Sequence, residues 1–537
     1  MNSNGLAINN HVIPLNMTVI NRTAYDEVDY PSYVYPQTHP DRLATIATLL
    51  GMNPAPVEAC RVLEMGCGAG GNLIPMAFDL SESSFVGVDL AGSAIAQGWE
   101  LIAALGLKNI SLQQLDVMAF PCELGQFDYI IAHGLFSWVP EVVRDRILAI
   151  CRAHLAAQGV AYISYNAYPG CRLREIARDI MRFHSKDKHQ AAEKVGQSRA
   201  VIKWIAEAQT QTQTNSYANF LTEMNTRLMK RDEGSIYHDE LADVNVPLYF
   251  HEFAAQAHKH GLQFLSEADY FERSADSSFT VEAARQLDQI GEEDTLAREQ
   301  YLDFLKGRSF RQTLLCHCET EVSRRINPDR LRGLLIKSRI QPDSSAPDIK
   351  SESVEKFRAK NGAAATTNLP LTKAAFLHLG RIYPRAIRFQ ELVTQARRLA
   401  GASEATTNAE DSTTLADVTL TTYEVGVIEL HLHEPVYTVE PGAFPIASPI
   451  ARLQIKQGNV VATLLHESLR LDDEIARQLL LLLDGTRDRS ALVQELRRVI
   501  DSNPKIPDTE REAMRNGLAT NLEEKLVELG KFGLLLS

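Results

Sequence analysis

Nine residues, Glu64-Met65-Gly66-Cys67-Gly68-Ala69-Gly70-Gly71-Asn72, constrain the fold of this 537-residue chain more than any other stretch. An apolar run, Arg61-Val62-Leu63, leads into them, and a helix-like run, Leu73-Ile74-Pro75-Met76-Ala77, leads out. The pattern predicts a buried strand, a glycine turn and a helix start. Such a turn lets a nucleotide-bearing ligand lie against bare backbone at a helix N-terminus.

Strands and helices alternate around this turn. Strands are predicted at 61–65, 84–89, 109–115, 127–132 and 160–165, with helices at about 71–80, 93–105 and 139–156. Short loops between them imply a parallel sheet covered on both faces. Two later strand-like runs, 261–265 and 310–316, are candidates for the last strands of the same sheet. The polar, helix-prone stretch 186–235 is then an insertion within one domain.

Glycine spacing alone leaves the ligand open. Gly66-x-Gly68-x-x-Gly71 fits a dinucleotide turn, and Gly66-x-Gly68-x-Gly70 fits a turn for S-adenosylmethionine (SAM). Three acids bear on the choice, of which Asp89 suits both ligands. Glu64 precedes the first glycine, where it can face an ammonium but would repel a pyrophosphate. Asp89 ends the second strand at the spacing of a ribose-binding acid. Asp116 ends the third, where it can accept from an adenine amine. Each aspartate alone also reads as the cap of a following helix. Together with the glycines, the three acids favour SAM.

Composition narrows the partners. A formal net charge of −13 argues against general nucleic-acid binding, which needs a basic surface. Seven scattered cysteines suggest a reducing compartment. Cys316-His317-Cys318 reads as the end of a buried strand, and no metal is expected. His238-Asp239-Glu240 reads as a solvated helix start. Neither a signal peptide nor a membrane span is evident, so a cytoplasmic location is expected.

Residues 60–166 resemble class I SAM-dependent methyltransferases. Further motifs resemble a narrower bacterial group carrying a methyltransferase regulatory domain: Ala24-Tyr25-Asp26-Glu27-Val28, Ala132-His133-Gly134-Leu135-Phe136-Ser137-Trp138-Val139-Pro140, Ser164-Tyr165-Asn166-Ala167-Tyr168-Pro169-Gly170, and His238-Asp239-Glu240-Leu241 with Asn245-x-Pro247-x-Tyr249-Phe250. That group includes protein-lysine methyltransferases acting on rickettsial outer-membrane proteins. The resemblance implies an α/β fold with a Rossmann-like seven-stranded sheet, a helical middle region and an α+β winged-helix-like C-terminal domain. The boundaries expected are an arm or lid at 1–40, the SAM-binding domain at 41–185, the middle region at 186–325, a linker at 326–368 and the C-terminal domain at 369–537. Strand 423–431 is expected to belong to that last domain.

The cofactor-lining set expected is Tyr25, Glu64, Gly66, Cys67, Gly68, Gly70, Asn72, Asp89, Leu90, Asp116, Val117 and His133. His133, Tyr165 and Asn166 are the catalytic candidates. His133 reads equally as an acceptor contact or base and as a structural hydrogen bond of its loop. Tyr33 and Trp138 are the substrate-binding candidates, with Trp138 also readable as core. The tyrosine-rich stretch from Tyr25 to Tyr35 reads as a flap or as a surface-packed arm. The acceptor the resemblance implies is a protein lysine; a small molecule, or cofactor binding without turnover, are the competing readings. A homodimer is left open.

Overall fold

Runs such as Phe127-Asp128-Tyr129-Ile130-Ile131-Ala132 are apolar on both sides of the pleat, so they can only lie inside a covered sheet. The computed structural model describes residues 27–28, 33–208, 216–273, 279–360, 362–401, 408–503 and 507–536. After the opening helix α1 (Pro40–Leu49), the chain runs β1 (Arg61–Met65), α2 (Leu73–Asp79), β2 (Ser84–Asp89), α3 (Gly92–Leu105), β3 (Ile110–Gln114), β4 (Phe127–Ala132), α4 (Glu141–His154) and β5 (Leu155–Asn166). Gly106 ends α3 in the left-handed conformation, which is why the helix stops there.

Four helices follow: α5 (Cys171–Ser185), α6 (Ala191–Glu207), α7 (Ser216–Lys230) and α8 (Glu233–Glu240). They share a small apolar cluster of their own, around Ile202, Met224 and Ile236. The chain returns to the sheet through α9 (Phe250–Lys259), β6 (Leu262–Glu267), the pair α10 (Val281–Glu293) and α11 (Thr295–Lys306), and β7 (Phe310–His317). The sheet order is β3-β2-β1-β4-β5-β7-β6, parallel except for β7, which is antiparallel to both neighbours. The helical stretch is therefore an insertion, and both late strands complete the sheet. Strand order reverses beside β1, and ligands of open sheets sit at such a point.

Three expectations need correction. First, 326–368 is no loose linker. It holds β8 (Leu335–Lys337) and a small antiparallel sheet of β9 (Gln341–Pro342), β10 (Glu355–Arg358) and β11 (Ala364–Thr367). Leu334, Ile336 and Phe357 are fully buried in the same core as β1 and α1. The stretch looks polar because only alternate residues of its short strands face inward. Second, 369–431 also belongs to that core. It forms α12 (Pro370–Ile382), β12 (Ile387–Arg388), α13 (Phe389–Ala400), α14 (Asn408–Glu424) and β13 (Glu429–His431), with β8 between β12 and β13. The C-terminal unit has a separate core and comprises α15 (Pro449–Gln454), the hairpin β14 (Val460–Ala462) and β15 (Ser468–Arg470), α16 (Glu474–Leu482), α17 (Arg489–Ser502) and α18 (Asp508–Lys531). Its wing is this hairpin, not 423–431. Third, His238 and Glu240 are buried rather than solvated, and Arg174 and Arg231 both bond Glu240.

Histidines bolt β13 and the residues after it to α1 and α2. His431 Nδ1 lies 2.6 Å from Asp41, and His433 bridges Glu58 at 3.0 Å and Asp79 at 2.9 Å. Burial pulls the His433 pKa down, but the bond and charge of Asp79, then Glu58, outweigh it and push it up to about 9. A raised histidine pKa adds stability that is whole below its ordinary 6.5 and is lost as pH rises through about 9. The melting temperature of the native chain should therefore exceed that of His433→Gln at neutral pH. The gap should narrow from about pH 6.5 upward and close once pH passes about 9; a pH-independent gap would mean that His433 is neutral.

Candidate functional site

The glycine turn joins β1 to α2 as expected. Gly66 N and Cys67 N both donate to Val88 O of β2, at 2.8 and 3.2 Å, which folds the turn back over the sheet edge. Gly68 has φ +53, and a Cβ there would meet nothing within 4 Å among the described residues. The turn is thus open above that residue, and the left-handed backbone explains the glycine. Asp89 Oδ2 accepts from Gly68 N at 2.8 Å and Oδ1 from Ala91 N at 2.8 Å. The carboxylate ties the second strand to the turn. Asp116 is exposed, caps the short turn Val117–Ala119 through Met118 N at 2.9 Å, and stands with half-buried Val117 and exposed Leu90 along the rim. Asp116 thus serves as a cap, and Asp89 joins the turn to the residue that precedes α3.

Glu64 is the most telling group. It is 3% exposed, its Oε1 accepts from Asn72 Nδ2 at 2.9 Å, and its Oε2 has no partner among the described residues. Burial raises its pKa to about 8, against the lowering effect of the Asn72 bond and with a small further rise from Asp89. A buried carboxylate oxygen without a donor is costly unless a ligand supplies one. A cation placed there would ionise it.

At the end of β4, His133 stacks on Tyr35, with ring centroids 3.8 Å apart, and meets Phe310 edge-on at 6.2 Å. Its Nδ1 lies 2.9 Å from Tyr162 Oη, which donates to Gln312 Oε1 at 2.8 Å. Gln312 Nε2 in turn donates to Asp269 at 3.0 Å. The chain has one direction. The carboxylate fixes the amide, the amide oxygen takes the phenol proton, and the phenol oxygen must accept from His133 Nδ1–H. His133 Nε2 then carries the lone pair. Burial lowers the His133 pKa to about 3, so the ring is neutral.

Other candidates are placed differently. Tyr165 does not reach the crevice. It is 1% exposed and stacks on Phe253 at 4.2 Å in the opposite core. Side chains alternate along β5, so the crevice receives Tyr162 and Ser164 instead. Asn166 spends its amide on Asn245 at 2.7 Å. Cys67 turns its thiol into the core beneath Gly87, leaving only backbone at the turn. Trp138 is half-buried beneath the guanidiniums of Arg174 and Arg178, at 5.7 and 5.8 Å. Burial raises the Tyr33 pKa, with the Asp232 charge adding and Arg470 and Arg231 opposing. That places Tyr33 between the insertion and the wing. Tyr25 lies outside the described residues, as does most of the arm before Tyr33. Sequence reading missed Tyr35, Tyr162 and Gln312. The period-two alternation along β5 could have found Tyr162.

An open glycine turn, an orphaned buried carboxylate and two further acids at successive strand ends, on this strand order, define a class I SAM-dependent methyltransferase. The chain belongs to the family of such enzymes that carry a methyltransferase regulatory domain. Family comparison matches a methyltransferase domain at 62–159, a predicted methyltransferase regulatory domain at 232–317 and a PKMT C-terminal winged helix domain at 444–534. Uncharacterized protein RP789 of Rickettsia prowazekii is 34% identical over 408 residues, covering 73% of each chain. PKMT2 of Rickettsia typhi is 27% identical, with a TM-score of 0.84 over 95% of this chain and 100% of its own. A structure of that protein in complex with AdoHcy matches at 26% identity and a TM-score of 0.83.

The residues fit the cofactor. Glu64 Oε2 suits its ammonium, the open face of Gly68 its nucleoside end, Asp89 a ribose and Asp116 an adenine amine. Glu64 carries the sharpest consequence. Folded and empty, it holds a proton that the unfolded chain, near 4.5, does not. Stability of the empty chain should therefore fall as pH rises from about 4.5 towards about 8. SAM binding at pH 7 should release that proton, read as a buffer-dependent heat in calorimetry. The release should vanish in Glu64→Gln; no buffer dependence in the native chain would show Glu64 already ionised.

Proposed function

We propose that this enzyme methylates lysine side chains of a protein. The observation that carries the proposal is a neutral histidine with aromatic neighbours, next to a cavity that Asp269 borders. The cavity, of about 540 Å³, is lined by Glu267, Asp269, Glu272, Phe310 and Gln312 among others. Lys306 and Arg308 also border it and pair with Glu272, and Glu267 is held by Arg311, which leaves Asp269 as the acid bonded there to a neutral group, Gln312. Gln312 belongs both to the cavity and to the chain that holds His133. A lysine ammonium is drawn to carboxylates, and a desolvated aromatic slot favours the neutral amine.

SAM, when bound, supplies an electrophilic methyl on a sulfonium. The chain aligns an incoming nitrogen and excludes water. His133 Nε2 accepts a hydrogen bond from the amine and aims its lone pair, while Tyr35 and Phe310 shield the ring. With so low a pKa His133 orients the amine rather than storing its proton. Likeness to PKMT2, an abbreviation for protein-lysine methyltransferase, over nearly the whole chain supports the same acceptor, and its AdoHcy complex supports the same donor.

Incubation with methyl-labelled SAM and a bacterial lysate should label a protein band, and hydrolysis of that band should yield N-methyl-lysine. Label confined to small molecules would sink the proposal. With a labelled substrate in hand, His133→Ala should lower kcat by about 100-fold with little change in the KM for SAM. Tyr162→Phe should lower it less, since only the tautomer is released.

A further inference from the structure

We propose that the winged-helix unit completes the cofactor site: His466, at the tip of its β14–β15 hairpin, sets the Asn72 amide and through it the carboxylate of Glu64. The ring nitrogen Nε2 of His466 lies 3.1 Å from Asn72 Oδ1, across 394 residues of sequence. Tyr35 N also reaches Asn72 Oδ1, at 2.9 Å. A backbone N–H only donates, so the atom facing it must be the amide oxygen. That fixes the amide against rotation, and His466 must then donate through Nε2–H. The Asn72 NH₂ is left to donate to Thr38 Oγ1 at 3.0 Å and to Glu64 Oε1 at 2.9 Å. Glu64 is thereby held with Oε2, its unpartnered oxygen, presented to the ligand.

The hairpin is built for this contact. Among the described residues, His466 is the only non-glycine with positive φ, at 53°. A left-handed histidine is unfavourable, and such strain persists where the surroundings demand it. Here the turn is closed by Thr463 N to Glu467 O at 2.9 Å and His466 N to Thr463 O at 3.1 Å, which aims the ring inward. The ring is buried, and burial with the neighbouring His39 lowers its pKa, in keeping with a neutral donor. Ser468 on the same hairpin accepts from Val34 N at 3.1 Å, so the wing also clasps the arm that carries Tyr35. The C-terminal unit therefore supports the amino-acid end of the cofactor, and any displacement of the wing loosens the grip on that end.

The test compares two ligands on the full chain. S-Adenosylhomocysteine carries the ammonium that Glu64 meets, and methylthioadenosine does not. His466→Asn keeps a residue that tolerates the left-handed backbone but falls short of Asn72. It should weaken S-adenosylhomocysteine about tenfold by calorimetry and leave methylthioadenosine unchanged. In an Asn72→Ala background, the same substitution should cost nothing further. Equal loss of both ligands, or loss of neither, overturns the proposal. The native chain gives a second reading, independent of variant folding: ¹⁵N-histidine labelling should report His466 as the Nε2–H tautomer. An Nδ1–H tautomer would also overturn it.

Discussion

Everything around the cofactor turns on one buried amide. Asn72 closes the glycine turn, and its four hydrogen-bond capacities are taken by Tyr35 N, His466, Thr38 and Glu64. An amide inside a protein has to satisfy both ends, and its two ends are not interchangeable. The oxygen collects the arm and the wing, and the nitrogen holds α1's approach and the first strand. Three parts of the chain far apart in sequence are thus made to agree on one geometry before any ligand arrives.

Two buried ionic sites show how the fold separates architecture from chemistry. Arg311 on β7 is fully buried, yet Glu267, Glu299 and Asp303 meet it at 2.6, 3.2 and 2.9 Å, and its guanidinium lies 3.9 Å from the Phe250 ring. A charge so completely answered locks β6, β7 and α11 together and leaves nothing for a ligand. Glu64 is as deeply buried but half answered. The unmet oxygen is a deficit inside the protein and becomes an asset once a cation fills it. The same economy governs His133, whose Nδ1 side is committed through Tyr162, Gln312 and Asp269 while Nε2 is left to the acceptor.

Much of this was readable beforehand. The sheet strands, the glycine turn and the places of Glu64, Asp89 and Asp116 at strand ends follow from apolar runs, glycines and acids at fixed offsets, because all of these are local. Predictions failed where facing or distance mattered. Tyr165 reads as a catalytic candidate from its place at the end of β5, but alternation along the strand turns it away and presents Tyr162 instead. The 326–368 stretch reads as loose because its strands are two to four residues long, and only packing on β1 and α1 gives them a partner. The strand at Glu429–His431 was assigned to the C-terminal domain because it follows helices, as a wing does. Its pairing with β8 is a tertiary fact.

The sequence by itself therefore determined the donor. A strand, a glycine turn and three spaced acids restrict the ligand through backbone geometry and charge that tertiary packing does not alter. Only the tertiary structure decided which nitrogen of His133 is basic, which face of β5 meets the substrate, and that a histidine from the C-terminal unit reaches the turn at Asn72. Those outcomes rest on hydrogen bonds between residues tens to hundreds of positions apart, and no local pattern encodes which donor will meet which acceptor.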